Sequence, residues 1–134
     1  MGFSKKITYV AASILQNSED KILLVQRPRK KHMSELWEFP GGKVEKNELP
    51  EEALKRELFE ELNIHVEITD LKPLSFISYD YQDFHLIMFV FICYKWKGEI
   101  TLKEDQPDFI WASALELKNY PMPPADLSLL DLIL

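Results

Sequence analysis

The sequence predicts an α+β fold in which helices cover the faces of a twisted, mixed β-sheet. Several short segments are rich in β-branched and aromatic residues, which is typical of strands. One of them, 84–96, is apolar on both faces, as expected for a strand in the middle of a sheet. Two other segments carry leucine at helical spacing. With 134 residues, of which 46% are hydrophobic and 28% charged, the chain is expected to form one domain over 1–134 with a substantial core.

Turn-forming residues divide the chain into successive elements. A first predicted helix begins at Pro50, which suits a first helical turn, and ends at Asn63, which tolerates the left-handed C-terminal position. Two further helices are predicted at 113–118, with Ser113 as N-cap, and at 127–134. Strands are predicted at 7–15, 21–26, 64–68, 74–79, 84–96 and 109–111.

The first predicted helix is crowded with acidic side chains. Three leucines at intervals of four residues give it a buried stripe: Leu54, Leu58 and Leu62. Beside that stripe, Glu57, Glu60 and Glu61 share one face of the helix, where their negative charges repel one another. Clustered carboxylates suit Mg²⁺ or Mn²⁺, although a solvated face is the commoner meaning of a charge run. The neighbouring Arg56 and the two glycines that precede the helix favour the metal site.

A basic loop precedes the acidic helix. Positive charge gathers at Arg27, Arg29, Lys30, Lys31 and His32. A phosphate-rich substrate would require such counter-charge, and a guanidinium can contact a phosphate through two parallel hydrogen bonds. Arg27 ends a predicted strand that is directed at the acidic helix, so it is the preferred phosphate contact. For the other residues of the loop, simple solvation is the alternative.

The charge balance and the cysteine count exclude several classes of protein. A formal net charge of −6 argues against stable binding to nucleic acid or to an anionic membrane. Cys93 is the only cysteine, so no internal disulfide can form, and its place in an apolar run predicts a buried, inert thiol. No segment has the length of a membrane span and the N-terminus lacks a signal-peptide pattern, so a cytoplasmic protein is expected.

Residues in and around the acidic helix follow a fixed spacing. They match G-x5-E-x7-R-E-U-x-E-E-x-G-U, where U is aliphatic, at Gly42, Glu48, Arg56, Glu57, Leu58, Glu60, Glu61 and Ile64. Asn63 stands where the pattern has its second glycine. The match resembles the Nudix box, the signature of hydrolases that split a diphosphate linked to another moiety. The resemblance implies an α/β/α sandwich around a central mixed sheet, and hydrolysis that depends on Mg²⁺, for which Mn²⁺ can substitute.

The resemblance extends beyond the box. Segments 36–45, 96–106 and 120–126 are similar to the MutT-like nucleoside triphosphate pyrophosphohydrolases. This implies that a metal is held by the carbonyl of Gly41 and by Glu57, Glu60, Glu61 and Glu104. Glu57 is the first choice for the catalytic base and Glu104 the second, and Arg56 is expected to pair with a box carboxylate and fix its rotamer. Substrate contacts are implied for Arg27, His32, Glu38, Phe39, Pro40, Gly42, Lys43 and Asp126.

Asp126 determines which substrate is expected. MutT-like proteins carry asparagine there, whereas relatives that hydrolyse CTP or modified cytidine nucleotides carry Pro-Ala-Asp, as this chain does at 124–126. The resemblance therefore ranks 8-oxo-dGTP first and CTP or a modified cytidine triphosphate second, each split into a monophosphate and pyrophosphate. A plain helix N-cap is the alternative interpretation of Asp126.

Two other functions are compatible with an intact Nudix box. One is hydrolysis of ADP-ribose or dinucleoside polyphosphates, and the other is nucleotide binding without turnover. Every acidic position of the box is filled, which favours an enzyme over a binding domain. A small nucleotide is thus the expected partner, and the chain is expected to be a monomer or a weak dimer.

Overall fold

The computed structural model describes residues 4–29, 33–103 and 105–134. Within these ranges the chain forms two α-helices, α1 (Pro50–Leu62) and α2 (Pro124–Ile133), and two 3₁₀ turns, Ile68–Asp70 and Leu117–Asn119. The strands are β1 (Ile7–Leu15), β2 (Ile22–Gln26), β3 (Trp37–Glu38), β4 (Gly41–Lys43), β5 (Lys72–Asp80), β6 (His85–Cys93) and β7 (Phe109–Ala112). No helix in these ranges is long and apolar enough to cross a membrane.

The strands form two sheets. The larger has the order β4-β1-β6-β5, in which β1 and β6 are parallel and the other neighbours are antiparallel. The smaller, β3-β2-β7, is antiparallel throughout. β6 lies inside the larger sheet, as its apolar sequence predicted, and the expected mixed sheet is confirmed.

The two helices pack on opposite faces of the sheets. Alternate residues of β1 and β2 pack on the two faces, because successive side chains along a strand point in opposite directions. One core joins α1 to the strands and includes Ala11, Leu15, Leu23, Leu54, Leu58, Leu62 and Cys93. The other joins α2 to the opposite face and includes Ala12, Ile14, Ile22, Leu24, Ala125 and Leu129. This arrangement confirms the predicted sandwich and the buried position of Cys93.

Both predicted ends of α1 are confirmed, although its N-terminus is capped in an unusual way. Leu49 stands at the N-cap and has no side-chain acceptor. The carboxylate of Glu52 compensates, since it accepts a hydrogen bond from the Leu49 N–H at 2.8 Å. At the other end Asn63 adopts φ 60° and ψ 33°, and its N–H donates to the Phe59 carbonyl at 3.0 Å. Asparagine thus supplies the left-handed cap that the Nudix pattern assigns to glycine.

The strand predicted at 64–68 is wrong. Ile64 and Val66 are buried and His65 is exposed, so the alternation that suggested a strand is real. However, only His65 pairs, with Lys97, in an isolated bridge. Ile64 and Val66 pack into the core beside α1 from an extended loop. The loop therefore shows the alternating burial of a strand but lacks the backbone hydrogen bonds of a sheet.

The α-helix predicted at 113–118 is also wrong. Ser113 and Glu116 exchange the reciprocal hydrogen bonds of a helix start, at 2.9 and 3.3 Å. Only the 3₁₀ turn Leu117–Asn119 follows them. Pro121 comes soon afterwards, and proline disfavours helical backbone in the residue before it. By contrast, the closing helix predicted at 127–134 begins earlier, at Pro124.

The placement of α1 in the core leads to a stability prediction. Leu58→Ala should lower the free energy of unfolding by about 2–5 kcal/mol, because Leu58 is fully buried and its truncation leaves a cavity. Urea denaturation followed by circular dichroism measures this change. Leu115→Ala is the control, since that leucine is 77% exposed and its truncation should change the free energy by less than about 0.5 kcal/mol. Equal losses in the two variants would contradict the burial of Leu58 between α1 and the sheets.

Candidate active site

A cavity of about 590 Å³ connects the acidic face of α1 with the first turn of α2. Its acidic part is lined by Gly41, Gly42, Glu57, Glu61 and Gln106. Its other part is lined by Arg27, Glu38, Phe39, Tyr81, Phe84 and Asp126, with Val10, Leu86 and Met88 contributed by β1 and β6. The cavity therefore combines an oxygen-rich region with a region that is largely apolar and aromatic.

Two glycines bring the backbone of β4 close to its neighbours. β4 is antiparallel to β1, with Gly41 opposite Ala12 and Gly42 opposite Ala11. A Cβ on Gly41 would collide with the Ala11 carbonyl oxygen and would lie 2.8 Å from the Ala12 Cα. A Cβ on Gly42 would collide with the carboxyl group of Glu57. Both glycines lie in a strand, and the close approach of neighbouring atoms requires a residue without a side chain at each position.

Arg56 gathers the carboxylates beside the cavity. Its Nε and Nη2 donate to the two oxygens of Glu48 at 2.7 and 3.0 Å, which is a bidentate ion pair. Its Nη1 donates to Glu57 Oε1 at 2.8 Å and to both oxygens of Glu60 at 3.3 Å. Nη2 also donates to the Lys43 carbonyl at 3.0 Å. The hydrogen bonds from Arg56 lower the pKa of Glu48, and the structure pairs this arginine with three box carboxylates.

Glu61 is set apart from this network. It is 6% exposed, and its Oε2 accepts a hydrogen bond from Gln106 Nε2 at 2.8 Å. The segment that carries Gln106 is tied to the end of α1, because the Thr101 N–H donates to the Leu62 carbonyl at 3.0 Å and the Lys103 N–H to the Glu61 carbonyl at 2.9 Å. These bonds satisfy carbonyl groups that a helix end leaves open.

The box carboxylates are oriented by different partners. Glu57 and Glu60 turn toward Arg56, whereas Glu61 turns toward Gln106. Consequently, within residues 4–29, 33–103 and 105–134, no three acidic, histidine or cysteine side chains converge into a ready metal site. The donor set nevertheless fits a hard cation, because Mg²⁺ prefers carboxylate oxygens and keeps several of its waters. Glu57 and Glu61, which both line the cavity, are the described side chains that would hold it.

Asp126 is buried in the first turn of α2, where it is 7% exposed. Its Oδ2 accepts a hydrogen bond from the Phe39 N–H at 3.1 Å. The N-cap of α2 is Pro123, so the interpretation of Asp126 as a plain N-cap is wrong. Burial, and next the negative charge of Glu38, raise the pKa of Asp126 to about 8, although the Phe39 N–H and the positive charge of Arg27 act in the opposite direction.

Arg27 and Glu38 form an ion pair near Asp126. The Arg27 Nη1 and the Glu38 Oε2 are 2.7 Å apart, and the two side chains are 24% and 21% exposed. The positive charge of Arg27 acts on the ionisation of both Asp126 and Tyr81. Arg27 therefore lies where its charge acts on the α2 end of the cavity, whose lining also includes the α1 carboxylates Glu57 and Glu61.

Polar and aromatic residues of the cavity wall that the sequence analysis missed include Tyr81, Phe84 and Gln106. Tyr81 and Phe84, in the turn between β5 and β6, stack with their ring centroids 5.1 Å apart. The Tyr81 hydroxyl accepts a hydrogen bond from the Ala125 N–H at 3.2 Å, which fixes this turn against the start of α2. Gln106 was likewise missed. The only available signal was the presence of aromatic residues on both sides of a polar turn, and of one glutamine in a charged loop.

Most of the predicted site residues lie together. Those that line the cavity are Arg27, Glu38, Phe39, Gly41, Gly42, Lys43, Glu57, Glu61 and Asp126. Arg56 and Glu60 are connected to it through the ion pair of Arg56 with Glu57. Pro40 is buried, and its carbonyl accepts hydrogen bonds from the N–H and the hydroxyl of Ser13 at 2.8 and 2.9 Å, so it anchors β4 to β1. His32 and Glu104 lie outside the described residues.

Comparison with known proteins agrees with this geometry. Residues 11–132 match the family described as NUDIX domain. The chain is 41% identical over 100 residues to the 8-oxo-dGTP diphosphatase of Proteus vulgaris, which covers 75% of this chain and 88% of the relative. It is 34% identical over 136 residues to the CTP pyrophosphohydrolase of Escherichia coli, which covers 94% of this chain and 90% of the relative.

The fold is also similar to that of a solved structure. The solution structure of the Escherichia coli ORF135 protein matches with a TM-score of 0.81 and 32% identity, covering 96% of this chain and 89% of that one. Nudix hydrolases in general require a divalent metal ion, in agreement with the carboxylates that Glu57 and Glu61 present to the cavity. The chain belongs to the Nudix hydrolase family.

Proposed function

We propose that this Nudix hydrolase splits a nucleoside triphosphate into the monophosphate and pyrophosphate with Mg²⁺, and that 8-oxo-dGTP is its preferred substrate. One observation carries the proposal. A single cavity joins the carboxylates of Glu57 and Glu61 to a buried carboxyl group, Asp126, beside apolar and aromatic side chains. The first region suits phosphates and a metal ion, and the second suits a nucleobase. Such an enzyme would remove an oxidised precursor from the cytoplasmic nucleotide pool before DNA synthesis.

The acidic region supplies the groups for hydrolysis. A bound Mg²⁺ would neutralise phosphate charge and make a water molecule more acidic. Glu57 is the proposed base, because it lines the cavity and its carboxylate is fixed between Arg56, at 2.8 Å, and the backbone of Gly42. A positioned base needs this kind of constraint to act on one particular proton. The sequence adds Glu104 as a further metal ligand and as the alternative base.

Asp126 is the proposed contact to the base. A carboxyl group whose pKa is about 8 is protonated at neutral pH, so it offers a hydroxyl donor as well as a carbonyl acceptor. Aspartic acid in this state therefore resembles the asparagine of MutT-like proteins. 8-Oxoguanine presents an N7–H donor beside its O6 acceptor, whereas guanine presents acceptors at both positions. The neutral acid should consequently bind the oxidised base better than the normal one.

Cytosine is the second candidate base. It also presents a donor beside an acceptor, namely its amino group and its N3, and a neutral Asp126 could pair with both. The 34% identity to the Escherichia coli CTP pyrophosphohydrolase favours this alternative. In either case Arg27 is proposed to contact the nucleoside, since its guanidinium is held by Glu38 near Asp126.

The reaction itself can be tested with a panel of nucleotides. With Mg²⁺ the protein is expected to release pyrophosphate from 8-oxo-dGTP faster than from dGTP, CTP or dCTP. Glu57→Gln should lower kcat by about 10²–10⁴-fold, the usual contribution of a positioned base, and Glu104→Gln should lower it less. Glu67→Gln is the control, because Glu67 is exposed in a loop.

Each other outcome of this panel points to a different conclusion. A larger loss in Glu104→Gln at saturating Mg²⁺ would move the role of the base to Glu104. Cleavage of ADP-ribose without pyrophosphate release from any triphosphate would overturn the substrate class. Binding of nucleotides without any turnover would indicate a domain that only binds them.

Asp126→Ala tests recognition of the base. If Asp126 contacts the base, this variant should change the ranking of the four nucleotides by kcat/KM and not only the overall rate. The loss of such a buried contact costs about 1.5–3 kcal/mol, or roughly ten- to a hundredfold in discrimination. Asp126→Asn should retain the ranking, and Ser128→Ala, on the same helix, serves as the control. Equal proportional losses on all four nucleotides would rule out the contact.

Asp126→Asn also tests the protonation of this carboxyl group. Its pKa is about 8 in the folded protein against an ordinary value of 3.8, so between these values the folded state binds more protons than the unfolded state. Wild-type stability should therefore fall as the pH rises from about 4 to about 8. Asparagine does not titrate, so the variant should lack this fall and exceed wild type at pH 8 by about 1–3 kcal/mol.

Urea denaturation at several pH values measures this difference. Asp131→Asn, exposed on the same helix, controls for the general loss of one negative charge. Parallel pH profiles for wild type and Asp126→Asn would show that Asp126 is ionised at neutral pH.

A further inference from the structure

Gln106 carries a buried polar atom for which the described residues provide no hydrogen-bond partner. The residue is 8% exposed and lines the acidic part of the cavity. Its Nε2 donates to Glu61 Oε2 at 2.8 Å. Its Oε1 is buried and has no hydrogen-bond partner in the part of the chain that the structure describes. An unpaired buried acceptor is costly, and this one belongs to a residue that lines the cavity, so a group that enters the cavity is the natural partner for it.

The chemistry of Glu61 fixes the orientation of this amide. A carboxylate can only accept hydrogen bonds, so the nitrogen of Gln106 has to face Glu61. The carbonyl oxygen is then turned away from Glu61. The reversed orientation would place two acceptors against each other and lose the bond at 2.8 Å.

The backbone holds Gln106 in one place. Before it, the N–H of Lys103 is bonded to the end of α1, and the Lys103 Nζ lies 3.9 Å from the centre of the Phe59 ring. After it, the Asp108 carbonyl accepts a hydrogen bond from the Gln26 N–H at 2.9 Å, which ties the segment to β2. Pro107 follows directly and restricts the backbone further. A side chain anchored on both sides in this way can orient a small molecule.

We propose that Gln106 positions the water molecule that attacks the phosphate chain. Its Nε2 holds Glu61 in the orientation needed to bind the metal, and its Oε1 accepts a hydrogen bond from the water. The inference rests on the proposed function, in which Glu61 is a metal ligand. The water oxygen forms a bond to one phosphorus of the α–β bridge, and the bond from that phosphorus to the bridging oxygen breaks. The bridging oxygen keeps the electron pair and leaves with the other product, so that monophosphate and pyrophosphate result, and the proton of the water passes to Glu57. An amide oxygen orients water without taking its proton, so Gln106 is a positioning residue.

Gln106→Met tests both parts of this proposal, because it keeps the length of the side chain and removes its polar atoms. Mn²⁺ affinity without nucleotide, measured by electron paramagnetic resonance, should fall by about tenfold when Glu61 loses its orienting partner. At saturating Mg²⁺, kcat should fall by roughly 10–100-fold, whereas KM should stay within about threefold. Gln106→Asn keeps both polar groups on a shorter chain and should give intermediate losses.

Gln16→Met is the matched control, because it makes the same change of side chain in the turn between β1 and β2. The side-chain amide of Gln16 donates a hydrogen bond to the Asp20 carbonyl at 3.4 Å in that turn. Melting curves establish which variants are folded. Should Gln106→Met not fold, the same measurements on Gln106→Asn decide the question, because wild-type Mn²⁺ affinity and kcat in that variant would overturn the inference.

The outcomes separate this inference from the proposed function. Wild-type Mn²⁺ affinity and kcat in Gln106→Met would overturn the inference alone. If wild type does not bind Mn²⁺, or if Glu61→Gln binds it equally well, the proposed metal site is wrong. A crystal structure with Mg²⁺ and a non-hydrolysable triphosphate should show a water within about 3.2 Å of Gln106 Oε1. A nucleotide or protein atom in that position would contradict the role of Gln106.

Discussion

The ion pairs of Arg56 are the interaction on which the acidic region of this protein depends. α1 places Glu57, Glu60 and Glu61 on one face, and like charges at this spacing destabilise a helix. A guanidinium offsets the repulsion because it directs five N–H donors in one plane. Arg56 uses them to contact Glu48, two acids of α1 and the Lys43 carbonyl at the same time. A lysine ammonium could not make this set of contacts, since it is a single point of charge without a planar fork of donors.

The same network explains why the described carboxylates of the acidic region do not already form a metal cage. In the structure Arg56 provides the positive charge for Glu57 and Glu60, and Glu61 is held separately by Gln106. A divalent ion would share these acids with Arg56 and would not need to assemble them. The acids are brought together by the fold, and their final orientation depends on which cation they face. This division fits Mg²⁺, which needs few protein ligands and retains water.

The sequence predicted those features that depend on local spacing. The leucine stripe, Pro50, Asn63 and the acids of α1 lie within one helix, so their relative positions follow from 3.6 residues per turn. Residues 64–68 show the limit of this reasoning, because alternating burial can arise from a loop that packs on a core. Gln106, Tyr81 and Phe84 could not be predicted in the same way. They reach the cavity only because separate segments of the chain contact α1 and the start of α2. A contact between residues so far apart in the sequence leaves no local sequence pattern.

Aspartic acid at position 126 shows how burial changes the meaning of a residue type. In its ionised form aspartic acid offers only acceptors, which distinguishes it from the asparagine of MutT-like proteins. Once it is enclosed by α2 and Phe39, with Glu38 nearby, its neutral form is favoured and it gains a donor. The two ends of the cavity therefore work by opposite electrostatic rules. Near α1, Arg56 stabilises charged carboxylates, and near α2, burial suppresses a charge.

These two ends belong to different cores of the sandwich. The carboxylates of Glu57 and Glu61 project from the helix that packs with Leu23 and Leu15, whereas Asp126 projects from the helix that packs with Leu24 and Ile14. β1 and β2 pass between the cores and expose alternate residues to each. A substitution at the α2 end of the cavity, the proposed base-binding end, can therefore leave the packing of α1 intact. If the proposed roles hold, the fold allows the specificity for a base to change while the arrangement proposed to hydrolyse phosphates is kept.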